Sequence, residues 1–234
     1  MLSIHQETMQ KNKYILLVAL TIGFVTLSFS QHQRYAIRNG VGLQGGFTQF
    51  DILTDNFETT KGNGWLVGMN ATVDLPHKWY TVSYNILLSE NNLDISGRMT
   101  DDVAGNETLA YKLLAIKAGF NFHVKIIEDY IMLEAGPLLQ YNSKLELKEE
   151  TQETYFVNGY DAVMAKDIED ISKFNVNGML GLSAGIGRIK VRAQYIYGFT
   201  NMLNKLNDAD FAKGLNKEFK GNQSLLAFSA MLTF

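Results

Sequence analysis

No cysteine occurs anywhere in the 234 residues, and proline occurs only twice. The first absence excludes disulfides, Cys-ligated zinc and iron–sulfur centres, a thiol nucleophile and a lipidated N-terminal cysteine. Net charge is small, −3 at pH 7, and no Lys/Arg stripe tracks a groove, which excludes a nucleic-acid surface. Beyond the N-terminus there is no apolar run approaching the ~20 residues that a membrane-spanning helix needs. Almost no 3.6-residue periodicity is present either, so a helical domain is excluded. What the chain does have is 20 Gly, 14 Phe, 11 Tyr and 2 Trp, placed mostly inside apparent strands rather than in linkers.

The N-terminus reads as an export signal. Lys11 and Lys13 precede the apolar run Tyr14 to Leu27, and Ser28-Phe29-Ser30 offers small residues where a signal peptidase reads, with Gln31 next. Glu7 sits awkwardly ahead of the two lysines, and Met9 is an alternative start to Met1. The expected organisation is a cleaved signal over 1–30, a periplasmic lead over 31–39 and one domain over 40–234.

That domain shows stretches of period-2 alternation at 40–50, 65–74, 79–88, 111–124, 130–141, 174–186, 189–199 and 224–234. Each is longer than the ~5–6 residues of an ordinary globular strand and suits the ~9–11 of a strand tilted across a bilayer. Connections alternate: LPHK, KIIED and GR are short, and the segments between the other strands are long and polar. An even strand count with short turns at one end and long loops at the other predicts an eight-stranded antiparallel transmembrane β-barrel with short periplasmic turns and long extracellular loops. TYFVNGYDAVM in the third loop carries an Asn-Gly turn signal, so ten strands is the alternative.

Alternation alone does not say which face points out. The polar face carries Gly42, Gln44, Gly46 and Thr48, then Asn70, Ser83, Asn85, Asn175, Asn177 and Ser183. It lacks the dense Lys and Glu of a water-exposed exterior. The other face (Val67, Met69; Tyr84, Ile86; Ile116, Phe120; Leu133, Leu139; Leu180, Leu182; Val191, Tyr195) would overfill a small barrel if it pointed inward. Turned outward it makes a lipid-facing band, with aromatics near strand ends as an interfacial girdle. A soluble periplasmic barrel is the alternative.

These stretches resemble the PorT-like outer-membrane β-barrel family, on GVGLQGGF at the first strand, YIMLEAGPLLQY at the fifth, FNVNGMLGLSAGIG at the sixth, AQYIYGFTNM leaving the seventh and the terminal Phe234. The resemblance implies a small barrel in the cell outer membrane. Some members are linked to protein secretion and most have no assigned activity, so it supplies no catalytic residues. By the same resemblance, the last strand, with Phe228, Leu232 and Phe234, looks like the assembly signal read by the barrel-insertion machinery.

Lys117, Glu134, Lys190 and Arg192 fall on the inward parity and are expected to form a lumen charge network, since a buried charge must be paired. Counting about the KIIED turn places Glu134 level with Phe120, in diagonal reach of Lys117. The competing reading is an ion path, although an eight-stranded interior is only wide enough for side chains. An outer-leaflet lipid-modifying enzyme needs a base at the extracellular end, typically His. His32, His77 and His123 all fall at the periplasmic end, so catalytic residues, cofactors and metals are expected to be none. The acidic third loop, 144–173, reads as a solvated loop, a docking surface or a weak divalent-cation site, with a short helix over 160–171. Gly136-Pro137 predicts a bulge. The leading function is a structural or interaction barrel with its outer loops as contact surface for a protein partner, and a narrow porin-like channel is the alternative.

Overall fold

The computed structural model describes residues 37–100, 107–215 and 217–234. The expected signal over 1–30 and most of the lead lie outside the described residues. The first strand begins at Arg38, inside the segment expected to be lead.

Eight long strands are β1 (Arg38–Thr54), β2 (Thr59–Asp74), β3 (Tyr80–Arg98), β4 (Glu107–Ile127), β5 (Ile131–Leu147), β7 (Phe174–Ile186), β8 (Ile189–Gly198) and β9 (Gly221–Thr233). Each pairs antiparallel with its neighbours in sequence, and β9 pairs back onto β1. The sheet therefore closes into an up-and-down barrel, and closure pairs the edge that an open sheet would leave bare. β6 (Phe156–Val157) is a two-residue strand that adds to the top of β3 at Gly97 and Arg98. The Asn158-Gly159 turn does exist, with Gly159 at φ +91°, but its short arms bridge Phe156 to Met164 above the barrel. The ten-stranded alternative is thus corrected to eight strands in the ring.

Two of the expected long loops are largely strand. β1 and β2 are joined by residues 55–58, and β3 and β4 run on to Arg98 and from Glu107. The reason is a change of solvent along the same strand. On β3 the lower inward residues are Thr81, Ser83 and Asn85 and the outward ones Val82, Tyr84 and Ile86. With no break in register, the upper inward residues become Leu93 and Ile95 and the outward ones Glu90, Asn92 and Asp94. β4 repeats the switch: Lys117, Asn121 and His123 point in below, and Leu109, Tyr111 and Leu113 point in above. The lower barrel is apolar outside and polar inside, and the upper barrel is the reverse. Read along the sequence, the upper part looks like a charged loop because its outward residues are Glu, Asn, Asp and Lys.

The apolar outer belt is continuous around the ring. Phe47, Ile86, Leu139, Phe174, Leu180, Ile186 and Phe199 are all more than 60% exposed. Trp79 packs edge-on against Tyr80 and Phe122 at the turn end, and Tyr141 against Phe174 at the loop end. Above the belt β3 continues for roughly 20 Å, taking ~3.3–3.4 Å per residue and a tilted strand. β7 and β8 begin and end near the belt's upper edge, whereas β5 rises to Leu147 opposite Tyr111 and β9 matches β1 up to Thr54, so the wall is lowest at β7 and β8.

Pro137 is exposed on the belt, yet the expected bulge is absent. Gly119 pairs Leu138 and Phe122 pairs Ala135 on one register. The ladder merely opens beside the missing proline N–H, and the backbones stay close: a Cβ on Gly136 would lie 1.9 Å from the Phe120 carbonyl oxygen. Register shifts fall instead at Leu113/Ala115 and Lys125/Ile127.

The reversal predicts unequal costs on the two faces of β3. Leu93→Ala, fully buried in the upper chamber, should destabilise the barrel by about 2–5 kcal/mol. Asp94→Ala on the outward face should stay within about 0.5 kcal/mol. Urea unfolding of the detergent-folded protein measures both.

Candidate functional site

The lumen is organised as stacked inward rows, one residue from each strand. The ion-paired row holds Glu134 on β5 and Arg192 on β8. Arg192 Nη2 donates to Glu134 Oε2 at 2.6 Å, and Nε reaches both carboxylate oxygens at 3.2 and 3.1 Å. Gln194 Nε2 donates to Oε2 at 3.0 Å, and His123 Nδ1 lies 3.4 Å from Oε1. The other side of the guanidinium donates from Nη1 to Gln44 Oε1 and Asn70 Oδ1, and Asn70 Nδ2 also donates to Gln44. Glu134 is 1% exposed, and a pair buried this deeply persists because the charges meet each other and further hydrogen-bond partners. This arrangement spans β1, β2, β4, β5 and β8, and clamps opposite walls together.

Of the four residues expected to form one network, Glu134 and Arg192 are brought together and Lys117 and Lys190 are not. Glu134 sits opposite His123, not Phe120. The strands run on to Ile127 and Ile131 and turn through Glu128 at φ +43°, a tighter hairpin than the count about KIIED assumed. Lys117 lies in a higher row, opposite Leu87 and Gln140, and is 2% exposed. Its ammonium donates to Ser89 Oγ at 2.5 Å, and it forms no ion pair among the described residues. Lys190 lies one row lower, with Met132 Sδ at 3.8 Å as its contact. Sequence parity placed all four inside but carries no height, and His123, Gln194, Gln44 and Asn70 were missed as partners for that reason.

Ser83 Oγ and His123 Nε2 are 2.7 Å apart, so Ser83, His123 and Glu134 form a line of the kind used to activate a serine. Here the carboxylate is engaged by Arg192 and Gln194, and Ser83 is 2% exposed. The line is buried within the lumen. Around it, both amide atoms of Asn121 and Oδ1 of Asn85 have no protein partner. Buried groups of this kind are satisfied by ordered water.

Above Lys117 the lumen changes to an apolar chamber. Phe50, Ile52, Leu93, Ile95, Leu109, Tyr111, Leu113 and Leu145 line it from the strands. Val163, Ala165 and Ile168 from residues 148–173, and Met202, Leu203, Leu206 and Phe219 from residues 199–220, fill it from above. The expected helix over 160–171 is instead a single 3-10 turn, Ala165–Ile168, which aims those apolar side chains down. Tyr111 Oη donates to the Ala165 carbonyl at 2.9 Å, and Tyr160 stacks on Phe219 at 5.6 Å. Asn207 pairs both the N–H and the carbonyl of Phe219, and Asn201 Oδ1 accepts from Leu203 and Gly221. Three acids of this loop are structural: Asp161 pairs with Arg98, Asp170 with Lys205, and Asp167 caps the Met164 N–H. Among the described residues no cluster of three or more His, Asp or Glu could hold a metal ion.

At the turn end the barrel opens into a cavity of about 680 Å³, lined by Thr72, Asp74, Thr81, Asp129, Met132, Arg188, Lys190 and Met231 among others. Its floor is the row directly beneath Glu134 and Arg192.

No protein-family model matches the chain, and no curated protein does. Among solved structures, the attachment invasion locus protein Ail of Yersinia pestis covers 84% of this chain and 99% of its own, at 13% identity and TM-score 0.45. Neisserial surface protein A aligns over 85% of this chain and 99% of its own, at 10% identity and TM-score 0.45. The outer-membrane expressed OmpT of Vibrio cholerae aligns over 86% of this chain and 57% of its own, at 17% identity and TM-score 0.25. Identities this low speak to no activity.

The clamp predicts non-additivity. Glu134→Gln alone leaves a buried guanidinium without its counter-charge and should cost about 3–5 kcal/mol. Adding Arg192→Met should restore a large part of that loss. Urea titration of the single and double variants in lipid vesicles reads the coupling.

Proposed function

We propose that the chain is an outer-membrane β-barrel protein with a structural or interaction role, and that the rigid cap over its loop end is its contact surface. The turn end, with its short connections, faces the periplasm, and the upper wall and cap face the cell exterior. The observation that carries this reading is the reversal of polarity up β3 and β4: the belt suits lipid, and the extension above it suits water. Lipid leaves no partner for a backbone N–H, so a closed sheet is what a belt of this kind requires.

The filled upper chamber favours interaction over transport. A solute path would have to cross a dozen or more buried apolar side chains held by two hydrogen-bonded loops. The narrow channel is the weaker reading for that reason. An outer-leaflet enzyme is weaker still, since the described histidines, His77 and His123, belong to the turn half. The finer resemblance, to PorT-like barrels, agrees with this architecture and adds no activity. During insertion, β9 offers its outward row with Phe228, Leu232 and Phe234, all exposed, to the barrel-insertion machinery. The partner at the cap would be a protein that reads a mixed-charge surface.

Membrane fractionation with heat-modifiability tests the reading. The protein should sit in the outer membrane and migrate faster on a detergent gel unboiled than boiled. A soluble periplasmic protein with one mobility would sink it. Leu180→Arg at mid-belt should cost about 2–4 kcal/mol in vesicles. Planar bilayers should show no unitary current from the intact chain.

A further inference from the structure

We propose that the turn-end cavity is a binding site for the free C-terminal end of a short peptide, with Lys190 and Arg188 receiving its carboxylate. A volume of about 680 Å³ falls within the ~300–1,000 Å³ of ordinary ligand pockets. Its charges are sorted by wall. On the β2–β4–β5 side, Asp74 and Asp129 share Lys125, at 2.8 and 2.9 Å. Lys125 offsets one of these two charges, so that wall stays acidic. On the β7–β8 side, Arg188 follows the Gly187 turn and Lys190 begins the inward row of β8. Neither forms an ion pair among the described residues. Glu134, the nearest carboxylate above Lys190 on the inward rows, is already taken by Arg192.

An ammonium half-buried in a cleft is stabilised by an anion that enters with it. The lining also selects which anion. Asp74, Glu128 and Asp129 face the cavity and oppose a dianion such as phosphate, but they can accept from peptide N–H groups. Met132, Met231 and Tyr130 supply an apolar, adaptable surface beside the two cations. One negative charge, backbone donors and an apolar side chain together describe a peptide C-terminus. The assignment rests on the proposed membrane orientation only for the ligand's origin, the periplasm. Binding itself is measured on the detergent-folded barrel and stands or falls separately.

The test is calorimetric titration with the peptide acetyl-Gly-Ala-Leu as free acid, as its C-terminal amide, and with inorganic phosphate. The free acid should bind, and the amide should bind roughly tenfold more weakly, the loss of a charge-assisted contact. Lys190→Met should weaken the free acid by about the same factor, and Lys190→Arg should keep it within about threefold. Unboiled gel mobility checks that each variant is folded. The proposal is overturned if the free acid gives no heat at millimolar concentration, if acid and amide bind alike, or if phosphate binds as tightly as the peptide. It is also overturned if folded Lys190→Met binds like the parent.

Discussion

The structure depends on one constraint: in a belt where no water reaches the outer surface, every backbone N–H and C=O must find its partner within the sheet. An open sheet fails this at two edges. Pairing β9 to β1 and β2 to β3 removes both edges. Closure then dictates the side chains. A small ring has little interior, so its inward rows take glycine and short polar residues, with a few large ones where opposite walls must be held. The cost of Pro137 shows how strict the rule is. Its missing N–H opens the ladder beside it, and Gly136 lets the strands stay close enough to resume the same register.

The same strands then leave that environment. Once β3 and β4 rise above the belt, water returns outside and the cheapest interior becomes apolar again. The alternation keeps its parity and reverses its meaning. The result is two cores in one barrel: a hydrogen-bonded lower core around Glu134 and Arg192, and a close-packed upper core around Phe50, Leu93, Tyr111 and Phe219. Loops 148–173 and 199–220 belong to the second core and are its roof. The acids of 148–173 suggest a solvated or cation-binding loop when read alone, but Asp161, Asp167 and Asp170 serve as a cap and as partners to other segments.

Much of the lower barrel was legible because period-2 alternation, strand length and turn length all pointed the same way. The inward parity of Lys117, Glu134, Lys190 and Arg192 followed from it. Height did not follow, since it depends on where each hairpin turns. Glu128 at positive φ and the shift at Lys125/Ile127 move Glu134 three residues along β4, to His123. The upper barrel was the part least legible. Leu93, Ile95, Leu109 and Leu113 alternate with Asp94, Ser96, Ala110 and Lys112 just as lower strands alternate, but charged residues now stand on the outward face. A reading tuned to lipid-facing strands takes charge as the end of the strand. On β3 and β4 the inward parity is constant, so the same alternation marks these residues once the polarity is allowed to invert.

Two cores of opposite character also make the two ends of the lumen unequal. The upper end is closed by dispersion and burial across many side chains, so opening it means unfolding the roof. The lower end is open as far as the Lys190 row, and stops where Arg192 and Glu134 bridge the walls. Between these stops lie Lys117 and the Asn121 and Asn85 amides, whose unmet hydrogen bonds call for water. A lumen sealed above by a packed apolar layer suits a compartment better than a conduit. Whatever such a barrel recognises, it meets at its outer surface: the cap on one side of the belt, the cavity on the other.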